Sequence, residues 1–404
     1  MWPSLPIVIS CSGPRASLFG HDGNIIIDAA LKYRDRICKI DIQNLPNMLW
    51  KTFSLPFPVL KSLKLHSNIP NPHVVPDLFW SGSALRLQEI IFNGIPFSAV
   101  GKLVSSTRNL LYLHLFDIPH SRHDTYDAMV SSLSTLTRLK SLILVFRCPH
   151  FDVGENRPLA TRVTLPALTR LHLQGHSAYL EAIVSLLDTP LLESFTIKFL
   201  YNAVVRDMPL LNQFIYRTEI FKALHQADVV FGSAGAFVKF LSPNGTPALT
   251  LGILSGEGQH QLLAFVQIWR SSLPHLSALE RVNISESQPK RGHWKGNAET
   301  LRTQWIELLL LFSSVKELGL SGKLIPHVAT ALVQSLSRPG ERVTEVLPVL
   351  QNLFVERLRL SRPAKQAIGQ FIDTRQLYGR PVVVHYTKGE ERGNKSRRGP
   401  VIDR

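Results

Sequence analysis

The chain has 404 residues, of which 45% are hydrophobic and 19% are charged, a balance that excludes an intrinsically disordered protein. Its net charge of +15 permits contact with nucleic acid or acidic membranes, although the basic residues are scattered except near the C-terminus. The three cysteines, Cys11, Cys38 and Cys148, are far apart and form no C-x-x-C pair, so neither a disulfide framework nor a zinc site is predicted.

No stretch of the sequence predicts a membrane-spanning helix or a signal peptide. The longest apolar run, 305–312, contains Glu307 and is far shorter than the roughly 20 residues that cross a bilayer. The apolar patch at 5–9 has no charged flank and is interrupted by Pro6. We therefore expect a cytoplasmic or nuclear protein in a reducing compartment, with no membrane partner.

One apolar pattern, L-x-x-L-x-L, recurs along most of the chain. Its last two apolar residues are two apart, the spacing that places side chains on one face of a β-strand. The copies lie at 37–42, 60–65, 87–92, 110–115, 139–144, 168–173, 192–197, 211–216, 279–284, 315–320 and 350–355. The first eight begin 19 to 29 residues apart, close to the period of about 20–29 residues that leucine-rich repeats show. The sequence therefore predicts an α/β leucine-rich-repeat solenoid, or horseshoe, with irregular repeats over residues 1–386.

Helical patterns separate the predicted strands, as a solenoid requires. Apolar residues recur at helical spacing in the segments 124–136, 177–187, 261–271, 328–336 and 365–377. A small β-rich irregular region is predicted around 221–254, where short apolar runs alternate with glycine turns. A closing strand is predicted at 380–385, and the composition of 387–404 predicts a disordered basic tail.

The sequence contains no recognisable catalytic or cofactor motif. The glycines of 232–235 lack the Gly-Lys-Ser/Thr of a phosphate-binding loop, and 254–258 is not a nucleophile elbow. His114, His120 and His123 are close together, but their spacing fits no metal-ligand pattern. We therefore expect no catalytic residue, no cofactor and no metal, and the chain is not predicted to be an enzyme.

What remains is a predicted binding surface. In this kind of repeat, the residue between the last two apolar positions faces the concave side of the solenoid. The exposed apolar members of this set could form binding hot spots, although neighbouring segments could equally cover some of them. The candidate face consists of Asp41, Lys64, Ile91, His114, Ile143, His172, Thr196, Asn283 and Phe354, with Gly319 at one further copy.

Several phrases of the sequence resemble the leucine-rich-repeat region of F-box-like proteins from mushroom-forming fungi. The resemblance covers roughly residues 5–385. The phrases are Leu-Pro-Ile-Val-Ile at 5–9, Ala-Ala-Leu-Lys-Tyr-Arg-Asp-Arg at 29–36, Phe-Pro-Val-Leu at 57–60, Leu-His-Leu at 113–115 followed by Ile-Pro-His at 118–120, Phe-Ile-Tyr-Arg-Thr-Glu at 214–219, Leu-Pro-Val-Leu-Gln-Asn at 347–352 and Gln-Leu-Tyr-Gly-Arg-Pro at 376–381.

The resemblance implies a role in ubiquitination. F-box proteins dock on the Skp adaptor of a cullin-RING ligase, and their repeats capture the protein to be modified. No F-box-like L-P-x-E-[IL] pattern precedes Leu5, so the Skp adaptor and cullin are expected as partners only if an F-box lies upstream. The alternatives are a stand-alone scaffold or inhibitor that uses the same face and, less favoured, a nucleic-acid-associated protein that uses the basic tail.

Overall fold

A computed structural model shows a mixed α/β protein with a large, mostly parallel sheet. The structure describes residues 5–11, 29–43, 55–67, 84–119, 126–147, 162–200, 208–255, 258–272, 279–287, 294, 297–335, 346–356 and 360–387. The chain forms two compact units, one from 1–223, 242–254 and 271–273 and the other from 224–241, 255–270 and 274–404.

Strands and helices alternate along much of the described chain. The strands are β1 Ile7–Cys11, β2 Ile37–Gln43, β3 Ser62–His66, β4 Glu89–Asn93, β5 Tyr112–Ile118, β6 Ser141–Phe146, β7 Val163–Thr164, β8 Arg170–Gly175, β9 Leu187–Asp188, β10 Ser194–Leu200, β11 Gln226–Gly232, β12 Gly235–Leu241, β13 Pro247–Leu254, β14 Arg281–Ser287, β15 Glu317–Leu320, β16 Asn352–Glu356 and β17 Val383–Thr387. The helices are α1 Phe97–Ser106, α2 Tyr126–Leu133, α3 Ser177–Leu186, α4 Pro209–Arg217, α5 Gly258–Ser272, α6 Ala298–Leu310, α7 Ile325–Gln334 and α8 Arg362–Leu377, with 3-10 turns at Arg34–Arg36 and Glu219–Ala223.

The first unit is built on parallel strands in nearly sequential order. Its strands are arranged β1-β2-β3-β4-β5-β6-β8-β10-β13, and every neighbouring pair is parallel. The short strands β7 and β9 form a separate parallel pair. Because successive repeats are neighbours in the sheet, equivalent residues of successive copies stand side by side.

A repeated backbone hydrogen-bond pattern links most neighbouring copies. The carbonyl oxygen of Lys61, just before β3, accepts from the backbone N–H groups of Gln88 and Glu89 at 2.8 and 3.0 Å. The carbonyl of Gln88 then accepts from Leu111 and Tyr112 at 2.9 and 3.0 Å. The same two-donor pattern continues at the carbonyls of Leu111, Lys140, Thr169, His225, Glu280 and Lys316. This pattern holds adjacent copies in register before their strands begin.

Tight turns lead into several of the strands. The N–H of the first apolar residue in a copy bonds to the carbonyl three residues earlier, as Leu60 does to Phe57 and Leu168 does to Leu165. Proline occupies the second position of four such turns, where its fixed φ matches a β-turn. These four prolines are Pro58, Pro166, Pro190 and Pro348.

The apolar residues of the repeats form the buried side of the sheet. In β3, Leu63 and Leu65 have no accessible surface, and the equivalent pairs of the other repeat strands of this unit are similarly buried. Helix residues pack on this side: the rings of Phe195 in β10 and Phe214 in α4 lie 5.2 Å apart. Removing this apolar surface from water is the main driving force for the fold.

The second unit has the strand order β12-β11-β14-β15-β16-β17. Only the β11–β12 pair is antiparallel, and β11 pairs with β14 in parallel over seven residues. The predicted β-rich region 221–254 therefore does contain strands. β11 and β13 belong to parallel ladders, with β14 and β10 respectively, whereas β12 pairs antiparallel with β11. Phe231 of β11 packs edge-on against Trp294 and Trp305, at ring distances of 5.3 and 5.5 Å.

One predicted repeat strand was wrong, because residues 211–216 lie in helix α4. Pro209 occupies the first helical turn, and the carboxylate of Glu181 in α3 accepts from the N–H groups of Leu210 and Leu211 at 2.7 and 3.3 Å. The same apolar residues fit a helix equally well, since Leu211, Phe214 and Ile215 are buried on one face. A neighbouring helix thus satisfies the N–H groups that a helix start leaves open.

The predicted helices were otherwise confirmed to within a few residues. The segments predicted at 124–136, 177–187, 261–271, 328–336 and 365–377 correspond to α2, α3, α5, α7 and α8. The predicted closing strand corresponds to β17. None of the helices in the described parts of the chain is both long and apolar enough to cross a bilayer. The predicted basic tail lies outside the described residues, apart from Thr387.

Gly94 and Gly245 provide a matched test of the close packing between repeats. Both have positive φ, of 72° and 79°. A Cβ added at Gly94 would overlap the carbonyl oxygen of Ser67 in the preceding repeat. A Cβ added at Gly245 would have none of the described atoms within 4 Å, apart from those of its chain neighbours. We expect Gly94→Ala to lower the free energy of unfolding by about 2–4 kcal/mol and Gly245→Ala by about 1 kcal/mol or less. Urea denaturation followed by circular dichroism measures both, and equal losses would contradict the prediction.

Candidate binding face

The side chains that alternate with the buried residues form a second face of the sheet. Seven of the predicted residues stand in one row on seven neighbouring strands of the first unit, each paired directly with the next by the strand register. The row is Asp41, Lys64, Ile91, His114, Ile143, His172 and Thr196. All seven are half-buried, and six strand spacings make the row about 29 Å long. We call this row, together with the residues two positions before and after each member, the first open face.

Two predicted residues, Asn283 and Phe354, lie in the second unit. They stand on β14 and β16, on either side of Gly319 of β15. The amide of Asn283 donates to Asp228 Oδ1 on β11 at 2.8 Å, and a Cβ at Gly319 would overlap the Asn283 side chain. Phe354 stacks on His385 of β17, with ring centroids 4.7 Å apart and planes 17° from parallel. Both residues therefore make contacts within their own unit.

An ion pair crosses the first open face between β3 and β4. Lys64 Nζ lies 3.1 Å from Glu89 Oε1, and Ser62 Oγ donates to Glu89 Oε2 at 2.6 Å. Burial alone raises the pKa of Glu89, but the hydrogen bonds from Ser62 and Lys64 and the charges of Lys64 and His114 outweigh it and lower the pKa below its ordinary value. Both side chains are largely shielded, yet such a pair contributes at most about 1 kcal/mol, so its main effect is to neutralise this part of the face.

His114 lies at the centre of an aromatic group on β5. Its ring meets those of Tyr112 and Phe116 edge-on, each at 6.4 Å, and its Nε2 hydrogen-bonds with Ser141 Oγ at 3.0 Å. Desolvation lowers the pKa of His114; Glu89 opposes this effect, while the charges of Arg170 and Lys64 add to it. His114 is therefore neutral near pH 7, and the strand presents aromatic surface rather than charge.

His172, on β8, is the most perturbed titrating group of this row. Burial, the positive charge of Lys198 and the proximity of His114 together lower its pKa from 6.5 to about 4. Its Nε2 is buried and has no hydrogen-bond partner among the described residues. Burial likewise lowers the pKa of Lys198, which stands on the adjacent strand β10. His172 therefore stays uncharged at neutral pH.

The L-x-x-L-x-L pattern predicts the middle row but not the two rows beside it. The pattern marks only the residue between the last two apolar positions of each copy, so Glu89, Tyr112, Phe116, Arg170 and Lys198 were not predicted. The twofold alternation of a strand would have pointed to them, since residues two apart share a face. Asp228 and His385 were missed because neither lies in an L-x-x-L-x-L copy.

The described residues show no metal-binding cluster, on this face or elsewhere. Within the ranges that the structure describes, no group of three or more His, Cys, Asp or Glu side chains could hold a metal ion. Comparison of the chain with protein-family models and with curated proteins found no match. The side-chain chemistry of the strands is thus the basis for assigning a function.

The position of His172 predicts a pH-dependent stability. The pKa of His172 is about 4 in the folded protein and 6.5 in its ordinary, unfolded-chain environment. Between pH 4 and pH 6.5 the unfolded chain therefore binds more protons than the folded protein does. The free energy of unfolding consequently falls as the pH drops from about 6.5 towards 4. Since His172 is partly exposed, we expect this loss to be about 1–2 kcal/mol rather than the full linkage value. His172→Gln should reduce the fall in urea stability between pH 7.5 and pH 5 by that amount.

The imidazole titration gives a direct check on the same prediction. In NMR spectra of the folded protein, the ring of His172 should stay neutral down to about pH 5. Lys198→Met should raise its pKa, because Lys198 is the strongest of its charged neighbours. A ring that titrates near 6.5 in the wild-type protein would contradict the prediction.

Proposed function

We propose that this chain is a non-enzymatic protein-recognition module and that the first open face is its binding surface. The observation that carries the proposal is the unbroken row of seven half-buried side chains on seven adjacent strands. Ile91 and Ile143 lie in this row, and Tyr112 and Phe116 lie beside it. Partly exposed apolar and aromatic side chains of this kind are typical anchors of protein interfaces.

The architecture we propose is a leucine-rich-repeat solenoid. Nearly sequential parallel strands, helices between many of them, and a repeated two-donor hydrogen bond at the start of successive strands support it. Such repeats stack their strands side by side and offer an extended surface of side chains to a partner.

The cellular role we propose is that of a substrate receptor for a ubiquitin ligase, in the manner of F-box-like proteins. The resemblance of residues 5–385 to the repeat region of those proteins supports this role. If an F-box lies upstream, the Skp adaptor and cullin are partners, and the repeats hold the substrate near the enzyme that transfers ubiquitin. The chain would then accelerate modification by proximity and contribute no catalytic residue.

A stand-alone scaffold or inhibitor that uses the same face is the alternative. The net charge of +15 also leaves a nucleic-acid-associated role as a third candidate. For the third candidate, binding would weaken steeply with salt, since the contacts would be made mainly to phosphates.

Affinity purification from native cells tests the proposal. We expect a C-terminally tagged protein to capture the Skp adaptor, a cullin and a reproducible set of further proteins. Ile143→Ser should reduce capture of the further proteins about tenfold, because it removes an apolar anchor from the centre of the row, and it should leave the adaptor unchanged. Quantitative mass spectrometry measures both effects.

Leu191→Ser is the matched control for this experiment. Leu191 is 59% exposed, belongs to the same unit and lies in the turn before β10 rather than on the first open face. Capture without any ligase component would favour the scaffold, and capture that Ile143→Ser and Leu191→Ser change equally would contradict the assignment of the face.

A further inference from the structure

Charge is distributed unevenly over the first open face. On β2, β3 and β4, two cations, Lys39 and Lys64, accompany two anions, Asp41 and Glu89, and Lys64 pairs with Glu89. On β5, β6, β8 and β10, the same three rows comprise twelve positions, with Arg170 and Lys198 among them and no Asp or Glu. We call these twelve positions the cationic half of the face.

Apolar side chains lie on β5 and β6 of the same half. Tyr112, which is 41% exposed, and Phe116 flank His114 on β5, and Ile143 separates His114 from His172 in the middle row. Because burial keeps both histidines neutral near pH 7, they contribute ring surface rather than charge. The cationic half therefore combines two basic side chains on β8 and β10 with aromatic and aliphatic surface on β5 and β6.

We infer that the cationic half of the first open face binds an acidic segment of a partner protein, one that carries aromatic or aliphatic side chains between its carboxylates. Carboxylates of the segment pair with Arg170 and Lys198, and its apolar side chains pack on Tyr112, Phe116 and Ile143. The inference rests on the proposed protein-recognition function and specifies the chemistry of the partner.

The spacing of the two cations suits an extended peptide. Arg170 of β8 pairs with Ser194 of β10, and Lys198 lies four residues further along β10. With about 3.3 Å per residue and about 4.8 Å between strands, their backbone positions are about 14 Å apart. Carboxylates about four residues apart in an extended segment span the same distance. Such a segment therefore reaches both cations while its intervening side chains lie over His172 and Thr196, next to Ile143 of β6.

A protein partner fits this surface better than a nucleic acid. A single strand of RNA or DNA needs a continuous line of cations along its phosphates, in addition to aromatic rings on which bases stack. Here two cations serve four strands, and the remaining strands add no net positive charge, because Asp41 and Glu89 offset Lys39 and Lys64. Two carboxylates, in contrast, match the two cations one to one.

Peptide binding to the full chain tests the inference. The probe is a short rhodamine-labelled peptide of Asp, Glu, Phe and Gly with carboxylates four residues apart. Two ligands serve as comparisons: the same peptide with Asn and Gln in place of the acids, and a single-stranded RNA. Fluorescence anisotropy at physiological salt should show the acidic peptide binding at least about tenfold more tightly than its amide counterpart, as one well-placed charge contact of about 1.4 kcal/mol gives.

Charge-reversal variants locate the site. We expect Arg170→Glu and Lys198→Glu each to weaken binding of the acidic peptide about tenfold, and the milder Lys198→Gln to weaken it less. Lys102→Glu is the matched control, because Lys102 is an exposed lysine of helix α1 in the same unit, off the first open face, and the variant has the same net charge as Lys198→Glu. It should change binding less than about twofold. Circular dichroism confirms that each variant is folded.

Several results would overturn the inference. These are absence of acidic-peptide binding, equal binding of the acidic and amide peptides, and equal effects of Lys102→Glu, Arg170→Glu and Lys198→Glu. RNA binding that is tighter than peptide binding and equally sensitive to Arg170 and Lys198 would assign the cationic half to nucleic acid. The cellular capture experiment separates this inference from the proposed function. Loss of partners with Ile143→Ser but not with Lys198→Glu would refute only the inference of an acidic partner. If neither variant changed the capture, the proposed function would be refuted as well.

Discussion

The hydrogen bonds that join the start of most repeat strands to the preceding strand are the constraint on which the described sheet depends. A single carbonyl, such as that of Lys61 or Gln88, accepts two N–H groups from the next copy, so neighbouring strands begin level with each other. From that point the twofold alternation of the strands puts equivalent side chains of successive copies on the same side of the sheet. Apolar pairs such as Leu63 and Leu65 collect on the buried side, and the residues between them collect on the other.

The same register explains how a binding surface arises from residues far apart in sequence. Asp41 and Thr196 are separated by 155 positions, yet they belong to one row because each strand in between contributes one member. The row is chemically uneven: Lys64 and Glu89 neutralise each other near one end, while Arg170 and Lys198 stand towards the other end without an acidic residue on their strands' open positions. Burial keeps His114 and His172 uncharged between these two regions, so the face has distinct polar, aromatic and cationic parts.

The middle row could be predicted from sequence because it depends only on the spacing within each copy. The positions of the flanking rows follow from the same alternation. The alternation does not, however, show which side chains of these rows contact each other. That Glu89 joins Lys64 rather than a residue of its other neighbouring strand depends on register and rotamer. The contact between Phe354 and His385 likewise depends on β17 pairing with β16, and β17 contains no L-x-x-L-x-L copy that would have shown it.

By itself, the sequence determined the periodic strands, most of the helices and the row of seven residues, because a two-residue apolar spacing and a helical stripe are local properties of the chain. Tertiary structure decided the cases in which one local pattern fits two structures. Residues 211–216 spell a repeat strand, but Pro209 and the Glu181 carboxylate of the neighbouring helix make them helical. It also decided the charge states on the face, since the pKa values of His172 and Glu89 depend on burial and on cations that only the folded sheet brings close.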